Sequence, residues 1–318
     1  RFRPENTKEV RSDTTKEFDI QYSDNEKAVK LSQTEVGKLS VERSYTFDKV
    51  FAPTATQAYV FEHLARGTVD DVVKGFNGTV FAYGQTGSGK TWSMFGINTP
   101  EGRGVIPRSA EYLFDELQRA DEIKQVTIKC SFLEIYKERV RDLLNPRQTE
   151  SLKLRETPRG AVRVVGLLEE YVSSPDDIMA LVAAGERIRS VSKTEMNDIS
   201  SRSHTLLTVT VTQKLQDASI RVGKLNMADL AGSERVDKST LQSYSIHYFI
   251  SFPSVFLGAS TGSSVLIDGP LFYCAQVVCK VSPWVKPRRS TRPCLHWATA
   301  SMHSQIRSAH TCPFETPS

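Results

Sequence analysis

The sequence predicts an α/β fold, a central sheet flanked by helices, and three observations lead there. Strand-like stretches alternate with helix-like ones over the first 240 residues, the pattern of a layered sandwich with a mostly parallel core. A glycine-rich run, GQTGSGKT at residues 84–91, lies between an apolar strand reading and a helix-like stretch. Hydrophobic residues make up 39% and charged residues 25% of the 318 positions, proportions that support a buried core and exclude disordered and fibrous classes.

Taken in order, residues 17–51 read as short strands with polar breaks: EFDIQYS, KAVKLSQT and KLSVERSYTFDKVF. Residues 55–74 have helical spacing, with Tyr59, Val60, Leu64, Val69, Val72 and Val73 on one apolar face. Residues 79–83 form the strand that feeds the glycine-rich run, and residues 96–107, rich in Gly and Pro, read as an exposed loop. A helix over 109–119, a strand over 126–136 running into ERVRDLLNP, and a hairpin-like pair over 152–168 come next. Ser174 followed by Pro175, Asp176 and Asp177 is a helix start, with a cap, proline at the first position and acids in the first turn. That helix should reach about Arg189. Residues 205–215 and 224–230 read as two further strands.

The net charge of +4 belongs to one end of the chain. Residues 241–318 hold six Lys/Arg and two Asp/Glu, leaving 35 of each sign in residues 1–240. The larger part is therefore neutral and gives no argument for nucleic-acid binding. Cys130 alone lies in the first part, while Cys274, Cys279, Cys294 and Cys312 lie in the tail with His296, His303 and His310. Those residues have neither C-x-x-C nor H-x3-5-H spacing, so they read as free thiols in a reducing compartment rather than a zinc site. A chain that opens on Arg1 rather than Met predicts a preceding segment; no basic-then-apolar leader and no membrane-length apolar run is visible. A cytoplasmic protein is expected.

Near residue 240 the character changes. Charged residues drop from 70 in the first 240 positions to 8 in the last 78, while Ser, Cys, His and Pro rise. Residues 241–318 thus form a divergent low-charge tail of the kind a retained intron or shifted reading frame would produce. A disordered tail, or a real but divergent one, has the same signature.

Three segments carry the chemistry. In the first, Lys90 supplies a cation for β/γ-phosphates and the Thr91 hydroxyl is placed for Mg²⁺, while Gly87 and Gly89 let backbone approach phosphate oxygens. A helix beginning at Lys90 adds its positive end. The second, NDISSRSH at 197–204, offers hydroxyls and an arginine suited to sensing a γ-phosphate and its metal, although SSRS alone is better read as a polar turn with a capping serine. The third, DLAGSE at 229–234, puts an acid at the end of the apolar strand KLNMADL, where related sites hold the Mg²⁺ shell; alone it is equally a strand-to-turn exit.

Together these segments give the chain a resemblance to the kinesin motor domain. RFRP at 1–4, YTFDKVF at 45–51, FAYGQTGSGKT at 81–91, FLEIYKERVRDLL at 132–144, NDISSRSH and DLAGSER resemble that family's signatures in the family's order, as far as about Lys238. The resemblance implies a P-loop NTPase, incomplete at its C-terminus, with residues 1–240 as a partial motor domain. It implies that Arg3 and Pro4 border the adenine, and that Gly84, Gln85, Thr86, Gly87, Ser88 and Gly89 hold phosphates together with Lys90 and Thr91. Ser201 and Asp229 would join Thr91 around Mg²⁺, partly through water. Ser200 would position the attacking water, the Gly232 amide would report the γ-phosphate, and Arg202 with Glu234 would form the ion pair that closes the site. Trp92 stands where kinesins often carry histidine, and its indole could face the adenine.

The function implied is that of an ATP-dependent microtubule motor on the cytoskeleton, with ATP and Mg²⁺ as cofactors and tubulin as partner. The signatures that follow DLAGSE in kinesins, including the filament-binding helix and a strand inside the sheet, are absent after Lys238. The alternative is thus a truncated, non-motor remnant that binds nucleotide but no filament. A substitute strand would have to come from residues 265–268 or 272–278. An unrelated GTPase would need an NKxD string, which the sequence lacks.

Overall fold

The computed structural model describes residues 1–4, 16–35, 41–148, 150–156, 162–193, 202–233 and 277–281. These fall into two compact units. In the smaller, β1 (Lys16–Tyr22), β2 (Ala28–Glu35) and β3 (Val41–Thr46) make an antiparallel sheet in sequence order. The turn between β1 and β2 closes on the Ser23 hydroxyl, which accepts the Ala28 amide at 2.8 Å.

The larger unit contains the glycine-rich loop. Helices α1 (Gln57–Leu64) and α2 (Arg66–Val73) precede β4 (Asn77–Tyr83), and α3 (Lys90–Met94) follows the loop. Next come α4 (Val105–Arg119), β5 (Ile123–Tyr136) and β6 (Arg139–Asp142). The small pair β7 (Lys153–Glu156) and β8 (Val162–Val165) leads to β9 (Glu170–Val172). Helix α5 (Pro175–Lys193), β10 (His204–Leu215), β11 (Ile220–Asp229) and β12 (Val277–Val281) complete it.

The start of α5 follows the sequence logic closely. Ser174 Oγ accepts the Asp177 amide at 3.1 Å, and the Asp177 carboxylate accepts the Ser174 amide at 3.0 Å in return. Elsewhere the boundaries move. The single helix expected over 55–74 is two, parted at Ala65. Helix α4 starts four residues earlier than expected and takes in Pro107, which a first turn tolerates because its missing N–H has no partner there anyway.

The main sheet has the order β12-β4-β11-β10-β5-β6, with β9 also on β5. It is mixed, and its parallel pairing is confined to β4–β11 rather than running through most of the core; the remaining described ladders are antiparallel. The reason lies in the connections: the turn over residues 216–219 joins β10 to β11 directly, and so short a link can only make a hairpin. Residues 272–278 are one of the two candidate sources of a substitute strand. The strand found, β12, shares only Val277 and Val278 with that stretch and lies antiparallel against β4, with Val277 opposite Tyr83. Residues 265–268 lie outside the described residues.

One face of this sheet supplies the core. Register aligns Val80, Met227, Leu207 and Phe132 in a single row across four strands, all buried. Val69 and Val72 of α2, Ile106 and Leu113 of α4 and Ile178 of α5 belong to the same buried cluster. Cys130, in the adjacent row, is a free thiol pushed up to about 12 by burial, so it is inert filler rather than a nucleophile.

Packing is tight where α2 meets β11. A Cβ built on Gly223 would lie 2.2 Å from the Val72 carbonyl oxygen and 3.1 Å from that of Phe76. Both obstacles are backbone atoms that no rotamer change can clear. Gly223→Ala should therefore destabilise the chain by about 1–3 kcal/mol, seen as a lower urea midpoint at unchanged m-value.

Candidate functional site

Strand β4 ends at Tyr83, and the next six residues wrap back to the start of α3. Gly87 and Gly89 both adopt left-handed backbone, at φ of +78° and +91°. A Cβ at Gly87 would meet no protein atom within 4 Å, so its glycine requirement comes from conformation and from what approaches the loop outside. Lys90 is buried beneath the loop and donates to the carbonyls of Gly84 at 2.9 Å and Gln85 at 3.0 Å. The Ser88 hydroxyl is buried with no partner among the described residues, whereas Thr86 is exposed. Helix α3 begins at Lys90 as expected, but it spans five residues, so its dipole adds little to the loop amides and the ammonium.

Arg3 reaches the same loop, its Nε donating to the Gly87 carbonyl at 2.7 Å, while Pro4 is exposed. Trp92 is 42% exposed on α3. Its carbonyl accepts from Gln57 Nε2 at 2.7 Å, and Arg1 bridges Gln57 at 2.6 Å and Ser93 at 2.7 Å. Met94 is fully buried, as core rather than ligand.

Thr91 Oγ1 donates to Asp229 Oδ2 at 2.5 Å, joining the first segment to the third. The other oxygen, Oδ1, is buried with no hydrogen-bond partner among the described residues. Burial raises the Asp229 pKa, opposed by the Thr91 hydrogen bond and by the nearby cations Lys90 and Arg189. A bare carboxylate oxygen beside a hydroxyl fits a hydrated Mg²⁺, which prefers hard oxygen donors and completes its shell with water and phosphate. Among the described residues, no group of three or more His, Cys, Asp or Glu could enclose a metal by itself.

The third segment is stitched down on both sides. Leu230 N donates to the Ala82 carbonyl at 3.2 Å and Ser233 N to the Gly84 carbonyl at 3.0 Å. Between them, the Ala231 amide donates to His204 Nδ1 at 2.8 Å. Burial, with Lys90 and Arg189 nearby, holds the His204 pKa down to about 4, so the ring is neutral at physiological pH.

Of the second segment, Arg202, Ser203 and His204 are described; residues 197–201, including Ser200 and Ser201, lie outside the described residues, as does Glu234. Arg202 is exposed, and Ser203 is buried. Arg189 of α5 donates to Ser203 Oγ at 3.1 Å and pairs with Glu134 of β5 at 3.2 Å, both charged side chains only 4% exposed. Sequence reasoning missed Arg189, Glu134, Gln57 and the role of Arg1. The one available signal was Glu134 itself, an acid inside the apolar run FLEIY.

The family profile described as the kinesin motor domain matches residues 1–246. Kinesin-related protein 5 of Dictyostelium discoideum is 46% identical over 230 residues, covering 68% of this chain and 23% of that protein. The kinesin heavy chain of Syncephalastrum racemosum is 43% identical over 242 residues, 75% of this chain and 25% of that one. The chain thus spans about a quarter of the length of these curated relatives. The solved structure of a fast kinesin superposes with a TM-score of 0.67 at 39% identity, covering 78% of this chain and 68% of that one.

The His204 environment has a consequence for stability. Its folded-state pKa of about 4 lies below the ordinary 6.5, so the unfolded chain takes up a proton that the folded chain refuses between those values. Stability from this group is complete above pH 6.5 and is lost as pH falls toward 4. His204→Asn, which cannot titrate, should lack this component. The difference between wild type and variant should amount to about 1–3 kcal/mol across the window, read from denaturant midpoints at each pH.

Proposed function

The chain belongs to the kinesin motor-domain family, and on that premise we propose that it is an ATP-dependent microtubule motor domain. The family binds ATP with Mg²⁺, and its members are typically cytoplasmic and microtubule-associated; we assign the same ligands, partner and location to this chain. Residues 1–240 are the motor domain in this reading, and residues 241–318 its divergent tail. The observation that carries it is the meeting of Lys90, Thr91 and Asp229 at the end of β4, with the third segment hydrogen-bonded to the loop that precedes Lys90.

Each group has a task in phosphoryl transfer, which depends on positioning and charge stabilisation more than on covalent chemistry. The loop from Gly84 to Gly89 presents backbone amides to phosphate oxygens, and Lys90 exchanges the carbonyls of Gly84 and Gln85 for β- and γ-phosphate oxygens. Thr91 and Asp229, with Ser201, would hold Mg²⁺, which would supply charge that offsets the charge building up on the phosphates. Arg3, Pro4 and Trp92 border the adenine. Ser200 positions the attacking water, and the Gly232 amide reports the γ-phosphate. Pairing of Arg202 with Glu234 closes the site, so breaking that pair lowers turnover more than nucleotide affinity.

A second reading has an observation of its own. The only described strand of the tail, β12, runs antiparallel to β4, and the tail lacks the filament-binding signatures seen in the family. A nucleotide-binding remnant without filament affinity would look the same at the phosphate loop. Cosedimentation with microtubules in AMPPNP, together with ATPase rates with and without microtubules, separates the two. A motor pellets with the filament and its ATPase rises; a remnant binds ATP and stays in the supernatant. Lys90→Ala should lower ATP affinity at least about tenfold, or 1.4 kcal/mol. A loss of only two- or threefold would remove the phosphate assignment from both readings.

A further inference from the structure

We propose that His204 is a positioning residue that locks the second and third phosphate-sensing segments together and leaves the Gly232 amide as the available donor. The proposal rests on the ATP reading above and assigns a residue to which that reading gave no task.

The β10–β11 ladder ends at the pair Thr205 and Asp229. Beyond that rung the two strands have no further backbone pairing among the described residues, yet both lead into segments that the ATP reading assigns to one phosphate. His204 is the first residue past the rung on β10, and its Nδ1 accepts the amide of Ala231, two residues past it on the other strand. The imidazole thus adds a side-chain rung where the backbone ladder stops. Because an amide can only donate, Nδ1 must be the acceptor and the ring proton sits on Nε2. The neutral state that burial enforces keeps that acceptor available.

The neighbouring amides give the rung its purpose. Leu230 N is committed to the Ala82 carbonyl and Ser233 N to the Gly84 carbonyl. With Ala231 N held by His204, the Gly232 amide is the one in this stretch that no described group accepts. The arrangement selects one backbone conformation of residues 230–233 and hands it to the residue proposed to sense the γ-phosphate. On the other side, His204 follows Ser203, which Arg189 anchors from α5. A shift of either segment is therefore transmitted to the other through one hydrogen bond. This link does not depend on the Arg202–Glu234 pair.

The test uses the full chain and two substitutions. In His204→Asn, Oδ1 stands near the place of Nδ1 and can accept the Ala231 amide; in His204→Leu the acceptor is gone and the shape is roughly kept. Hydrogen–deuterium exchange is read at the Ala231 amide without nucleotide, with the β10–β11 ladder amides as the control for folding. Affinities for AMPPNP and ADP are then measured on the same proteins. We expect wild type and His204→Asn to protect the Ala231 amide, and His204→Leu to exchange it at least about tenfold faster with the ladder unchanged. His204→Leu should also lose about tenfold in AMPPNP affinity while ADP affinity stays within about twofold. Unchanged protection of Ala231 in His204→Leu overturns the proposal, as does equal loss for both nucleotides or a His204→Asn that behaves like His204→Leu. Wild-type chain that binds neither nucleotide overturns the ATP reading and the sensing role with it, and the amide exchange still decides whether the rung exists.

Discussion

The period-two register of the central sheet is the constraint on which the site depends. Side chains directly opposite one another share a face, so the buried row Val80, Met227, Leu207 and Phe132 continues two residues along as Ala82, Asp229, Thr205 and Glu134. The second row faces the same interior, and all four residues are buried. Core and candidate site are therefore adjacent rows of one surface, apolar beneath the helices and more polar where β4 gives way to the glycine-rich loop. A slip of one residue in any of these strands would turn its residue in each row outward.

That arrangement puts charge where solvent cannot reach it. Glu134 and Arg189 satisfy each other, and Arg189 also bonds Ser203 and Glu186. A buried pair of this kind is weak evidence for stability, since desolvation offsets much of its attraction. Its value here is placement: α5 and β5 together fix Ser203 and the start of β10. Asp229 is the opposite case, a carboxylate with one oxygen bonded and the other bare. Such a group is costly to bury, and groups of this kind are concentrated at functional sites.

Membership of the kinesin motor family accounts for residues 1–246 and leaves the rest of the chain to be explained on its own terms. Strand β12 lies on the far side of β4 from β11, against the strand that leads into the glycine-rich loop. It covers ladder groups that would otherwise form a bare edge, so the sheet has six strands on its main path.

Much of this protein was legible before any coordinates. The glycine-rich loop, the Ser174 cap of α5 and the apolar faces of the strands are local patterns, each written in a handful of consecutive residues. Local signals fix local geometry because capping, turn conformation and side-chain alternation act over less than two helical turns. What tertiary structure alone decided is which distant residues meet. Thr91 and Asp229 are 138 positions apart, Glu134 and Arg189 are 55 apart, and Ala231 finds His204 across 27. None of these pairings leaves a periodic trace in the sequence. They arise when strand order and register bring separate segments to one end of one sheet.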